Sequence, residues 1–112
     1  MERVLLQTLV SLLVSAALGW AQTGTGNIQG IVKDATGAVL PGATVTLTHV
    51  QTSRQYTTPT TEVGFYLFPS VQLGTYQIAV EAPGMETWKA ELTLQVSQTA
   101  EINPELRVGA TV

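Results

Sequence analysis

From residue 22 onward the apolar residues of this chain recur at every second position, and that period constrains the fold more than any other feature. Ile28, Gly30, Val32 and Asp34 alternate with Gln29, Ile31 and Lys33, and Ala43, Val45 and Leu47 alternate with Thr44, Thr46 and Thr48. The pattern returns in Tyr76, Ile78 and Val80 against Gln77, Ala79 and Glu81, and in Leu92, Leu94 and Val96 against Thr93, Gln95 and Ser97. Successive side chains of a strand point to opposite faces, so each run offers one row to a core and the other to water. Threonine and valine suit such a surface because their branched Cβ packs well on the pleat. No helical period survives outside the first twenty-one residues, so the expected class is all-β.

Turn chemistry separates the runs. In Asp34-Ala35-Thr36-Gly37 the aspartate oxygen is placed to accept backbone N–H groups, with Gly37 at positive φ. Leu40-Pro41-Gly42-Ala43 fits a type II turn. Further breaks fall at Thr61-Glu62-Val63-Gly64, Leu73-Gly74-Thr75 and Ala82-Pro83-Gly84. Strands are therefore expected over 27–34, 43–50, 53–59, 64–69, 74–82, 85–90, 91–98 and 99–108, the stretch 85–98 being able to form one long bent strand. Pro104 cannot donate to a ladder and marks the last run as an edge or a bulge. Turns at this spacing indicate a sandwich or barrel. Residues 22–26 are expected as a flexible lead-in, 27–108 as the sandwich and 109–112 as a frayed tail.

The first twenty-one residues differ in kind. A short polar start, Met1-Glu2-Arg3, precedes the mostly apolar Val4–Leu18, and Gly19-Trp20-Ala21 places small residues two apart. This is the layout of a secretory signal helix cleaved after Ala21. A membrane span is disfavoured, because the apolar run is short and carries Gln7, Thr8, Ser11 and Ser15. The expectation is an exported protein.

Charge and cysteine narrow the function. The formal net charge is −3, charged residues make up 12% of the chain, and cysteine is absent. Lys33, Arg54, Lys89 and Arg107 are scattered, whereas nucleic-acid capture needs clustered cations. Without cysteine there is no disulfide, thiol nucleophile or cysteine-bearing zinc site, and stability rests on apolar packing and β ladders.

Few residues suit catalysis. His49 is the single histidine and shares the inward parity of Val45 and Leu47; zinc needs three or four ligands, and no second histidine exists. The pairs Glu81 with Glu86 and Glu101 with Glu105 invite acid–base chemistry but read as solvated surface charge. Asp34 alone supplies too few oxygens for calcium and reads as a turn cap. Serine and threonine are plentiful but have no base beside them. No catalytic, metal or cofactor residues are expected. Exposed strand edges are the general route to a protein partner.

Together these residues resemble a known family. Gly26-x-Ile28-x-Gly30-x-Val32-x-Asp34-x-x-Gly37, then Leu40-Pro41-Gly42-Ala43-x-Val45-x-Leu47, are similar to the opening of the carboxypeptidase regulatory-like domain. Gly64-Phe65-Tyr66-x-Phe68, Gly74-x-Tyr76-x-Ile78-x-Val80, Ala82-x-Gly84 and Leu106-x-Val108-Gly109 continue the match. The resemblance implies a transthyretin-like, seven-stranded Greek-key β-sandwich without catalytic residues, with Tyr66 and Tyr76 in the core. It is nearest in kind to the copy after the signal peptide of TonB-dependent outer-membrane receptors. That implies the periplasm or outer membrane of a Gram-negative bacterium, and a chain that is either a receptor's N-terminal module or remnant, or a stand-alone relative that binds carbohydrate or a surface. Met85 departs from the aromatic usual after the glycine, and Thr61 from the usual Asn or Asp. Related adhesin domains carry a Lys–Asn isopeptide bond, but Val32 holds the lysine's place and Lys33 is one residue off, on the opposite face, so no cross-link to Asn103 is expected. The remaining aromatics, Tyr56 and Trp88, are the candidates for stacking against a glycan.

Overall fold

The computed structural model describes residues 24–109. The signal helix expected over residues 1–21 lies outside the described residues. Nine strands follow in order: β1 (Thr25–Ile31), β2 (Lys33–Asp34), β3 (Thr44–His49), β4 (Gln55–Pro59), β5 (Phe65–Gln72), β6 (Gly74–Glu81), β7 (Trp88–Leu94), β8 (Thr99–Glu101) and β9 (Glu105–Leu106). The all-β expectation holds.

One sheet is antiparallel, in the order β4-β3-β6-β7. Its inward rows run Tyr56–Leu47–Ile78–Ala90 and Thr58–Val45–Val80–Trp88. The second sheet centres on β1, which pairs antiparallel with β5 and parallel with β8. β2 continues β1 beyond Val32, and β9 continues β8 beyond Ile102-Asn103-Pro104, the two extensions again pairing in parallel. With those two joins the nine elements become seven runs. Non-consecutive neighbours in both sheets make the connections Greek-key, as the resemblance implies.

The strand runs differ from the sequence-based expectation in several places, among them the break of the first run at Val32 and the continuation of β5 to Gln72. β1 starts at Thr25, inside the expected lead-in, because Ser97 N–H donates to the Thr25 carbonyl and Asn27 N–H to that of Gln98. The 85–98 stretch forms one strand, Trp88–Leu94, flanked by turns. The last run is split at Pro104, where the carbonyl accepts from Lys33 N–H but the ring nitrogen has nothing to donate. At the far end Gly109 N–H donates to the Gly84 carbonyl, which anchors the first residue of the expected tail.

The core lies between the sheets. Ile28, Val32, Val45, Leu47, Tyr76, Ile78 and Val80 are all fully buried, with Tyr66, Leu94 and Leu106 beside them. Full burial of each large aliphatic contributes about 1.5–3 kcal/mol. The Leu40–Ala43 turn is closed indirectly. Buried Thr60 places its hydroxyl between the turn's ends, accepting from Ala43 N–H at 2.9 Å and donating to the Leu40 carbonyl at 2.6 Å.

Gly30 decides how the last run reaches β1. A Cβ there would overlap the Ile102 carbonyl, which instead accepts a 2.6 Å hydrogen bond from the Tyr66 hydroxyl. Gly30→Ala is therefore expected to cost about 3 kcal/mol, since the obstructing group is backbone and relaxes poorly. Urea unfolding should show a lower midpoint at similar slope; an unchanged midpoint would remove this contact from its central place.

Candidate functional site

His49 closes β3 and is 2% exposed. Its Nε2 lies 3.0 Å from the Leu73 carbonyl, and its Nδ1 lies 3.0 Å from the Thr52 hydroxyl and 3.3 Å from Thr52 N–H. A neutral ring protonated on Nε2 satisfies every one of these, donating to Leu73 and accepting from Thr52. The ring meets Tyr76 edge-on at 4.9 Å. A side chain on Gly74 would strike Nε2 at 2.6 Å, and the φ of +134° there also favours glycine. His49 is a structural bridge from β3 to the β5–β6 turn.

Asp34 is held just as locally. Its Oδ1 accepts from the Thr36 hydroxyl at 2.6 Å, Thr36 N–H at 2.9 Å and Ala38 N–H at 3.1 Å. The Thr36 hydroxyl above all, with those backbone donors, lowers the carboxyl below its ordinary value. The residue is the turn cap read from the sequence. Burial pushes the Tyr66 phenol up and keeps it a donor to Ile102.

Asn103 accepts from Ile31 N–H at 2.9 Å, and its amide donates to Glu101 at 3.3 Å. Val32 is fully buried and Lys33 is exposed opposite Glu105. The lysine thus points away from the core, as its parity implies. Glu81, Glu86, Glu101 and Glu105 are all exposed. Among the described residues no group of three or more His, Asp or Glu could hold a metal.

The two stacking candidates are not brought together. Tyr56 lies on β4 and Trp88 on β7, the opposite edges of one sheet, three strand spacings or roughly 14 Å apart. Both face inward, half-buried against the core. The Arg54 guanidinium lies 5.3 Å from the Tyr56 ring centre, over its face. Sequence parity cannot reveal this separation, because strand order is not a local property.

What parity did not single out is the outward face of the same sheet. Its rows run Thr57–Thr46–Ala79–Lys89 and Gln55–Thr48–Gln77–Glu91. All of these but Thr57 line a shallow concavity of about 530 Å³. Hydroxyl and amide groups at strand spacing, with Glu81, Lys89 and Glu91 beside them, make a surface suited to hydrogen-bonding.

With this geometry established, the family can be fixed. The sequence matches the profile of the carboxypeptidase regulatory-like domain over residues 27–107. The chain belongs to that family.

Solved structures share the fold of this carboxypeptidase regulatory-like domain at low identity. The Bacillus anthracis TIE protein aligns with a TM-score of 0.66 at 16% identity, over 76% of this chain and 17% of its own. Catechol 1,2-dioxygenase of Acinetobacter radioresistens aligns at 0.64 and 14% identity, over 80% of this chain and 53% of its own. A Pseudomonas aeruginosa protein, PA1324, provisionally described as carbohydrate binding, aligns at 0.59 and 18% identity, over 75% of this chain and 90% of its own. The domain thus spans about half or less of the first two. The comparison with curated proteins found no match.

The site geometry generates a pH signature. A carboxyl lowered in the folded state adds stability that is fully present above its ordinary value of 3.8 and lost as pH falls through the lower folded value. Carbon-detected NMR should place the Asp34 midpoint below 3.8, and Asp34→Ala should remove that component of the acid dependence. A midpoint at or above 3.8 would contradict the cap. His49→Ala should cost about 2 kcal/mol through the unpaired Leu73 carbonyl and the lost packing, read by chemical denaturation.

Proposed function

We propose that the chain is an exported, non-catalytic interaction module of the Gram-negative cell envelope, of the kind that precedes the plug and barrel of TonB-dependent outer-membrane receptors. One observation carries the non-catalytic part. The single histidine, His49, and with it Asp34, Asn103 and Tyr66, each hold a backbone group in place. Catalysis needs a nucleophile or base within reach of a substrate and free to exchange its proton. The 2% exposure of His49 leaves no such freedom. Export and the receptor setting rest on the leader pattern and on the Leu106-x-Val108-Gly109 ending.

A second use is favoured by the concave face of Thr46, Thr48, Gln55 and Gln77, namely weak carbohydrate binding by hydrogen bonds. The likeness to the Pseudomonas aeruginosa protein points the same way. Trp88 faces inward, on the opposite side of this sheet, and takes no part in that binding.

The full chain produced in a Gram-negative host should lose its leader after Ala21 and appear in the periplasmic or envelope fraction, read by N-terminal mass spectrometry. Uncleaved protein in the cytoplasm would overturn export. Genomic sequence beyond the Val112 codon should read into a plug and barrel; an isolated gene would favour the second use. Ester hydrolysis lost on His49→Ala would overturn the non-catalytic assignment. On a glycan array, binding lost on Gln77→Ala but kept in Trp88→Ala would assign the concave face.

A further inference from the structure

Edge strands invite pairing unless they are short, bent, broken by proline or studded with charge, lysine above all. Three edges of this sandwich carry such guards. β5 contains Pro69 and a bulge, where Ser70 has φ +52° and its N–H bonds to Asn27 Oδ1. β4 is five residues long and ends at Pro59. β8 and β9 are three and two residues, divided by Pro104. β7 differs: it runs seven residues, Trp88–Leu94, in unbroken register with β6, without proline or glycine. Among the described residues it is bonded in its sheet to β6 alone. The bridge between Met85 and Val108 stops short of Trp88.

The charges on this strand are its one guard, and neither has an opposite charge directly across the domain's own sheet, although Glu81 lies diagonal to Lys89. Lys89 stands opposite Ala79, and Glu91 opposite Gln77. Cross-strand pairs of opposite charge stabilise a sheet and like charges destabilise it. An isologous antiparallel pairing of β7 with itself must keep inward residues opposite inward ones, so its two-fold axis passes beside one residue. Centred on Lys89 or on Glu91, it sets like charges face to face. Centred on Trp88 or Leu92, it leaves both charges without an opposite partner. Centred on Ala90, it sets Lys89 of each copy opposite Glu91 of the other, and half-buried Trp88 opposite Leu92.

We propose that β7 is a self-association edge, on which two copies of this chain pair antiparallel about Ala90 to make one continuous eight-stranded sheet held in register by reciprocal Lys89–Glu91 pairs. The pairing covers residues 88–92 of each copy, and Glu105–Arg107 border it at Trp88. It joins the two concave polar faces into one surface, and it is independent of whether the domain belongs to a receptor.

The test is the molar mass of the full chain by light scattering and sedimentation across a concentration series. The wild-type chain should dimerise, and added salt should weaken the dimer. Lys89→Glu and Glu91→Lys should each raise the dimer dissociation constant by roughly tenfold or more, since each replaces two attractions with two repulsions. Mixing these two variants should restore a dimer, because every facing pair is then opposite in charge, and the double swap in one chain should do the same. Both positions are exposed, so neither change threatens the fold. A wild-type chain that stays monomeric at all accessible concentrations overturns the proposal. So does a dimer indifferent to both charge reversals, or one that mixing fails to restore.

Discussion

The second sheet depends on a carbonyl passing over a glycine. Ile102 can lie against β1 only because Gly30 has no side chain, and the Tyr66 hydroxyl fixes the carbonyl once it is there. The other bonds between the last run and the first follow from this placement. Ile102 N–H donates to the Gln29 carbonyl, Ile31 N–H to Asn103, and Lys33 N–H to the Pro104 carbonyl. Without that crossing point β8 and β9 would have no parallel partner, and Leu106 would not reach the core it fills.

A small fold without cysteine needs other fasteners, and here they are side chains bonded to backbone. Thr60 bridges a turn, His49 ties β3 to the loop before β6, Asp34 gathers the donors of its own hairpin, and Asn103 substitutes for a missing ladder bond beside Pro104. Each such bond contributes only about 1 kcal/mol net, but leaving its buried partner unmatched costs more. Polar residues that resemble a scattered active site are therefore better understood as a distributed set of clasps.

Much of this was legible before any coordinates. Alternation located the core rows of β1, β3 and β6, since period two is a local property that burial enforces. The Asp34 cap and the break at Pro104 were legible for the same reason. The positions that escaped are non-local. Nothing near Thr60 announces that its hydroxyl will sit between Leu40 and Ala43, and nothing near Ser70 announces a bulge stabilised by Asn27. That Tyr56 and Trp88, both candidates for stacking, stand on opposite edges of one sheet was hidden because spacing along the chain says nothing of strand order. The outward Thr and Gln rows looked like ordinary solvent-facing positions until β4, β3 and β6 were laid side by side.

The parallel pairing of the first strand with the penultimate one has a consequence for the order of events. Ile31 and Asn103 are 72 residues apart in sequence, yet they share a hydrogen bond. Contacts of such separation form late and slowly, because the intervening loop must close first. A chain emerging from a ribosome or a translocation channel with its N-terminus leading exposes β1 long before β8 arrives. Until then the β1 flank that β8 will cover is an open, adhesive edge. The domain cannot finish folding until β8 and β9 have been released, so the same topology that closes the sandwich postpones its completion to the last strands.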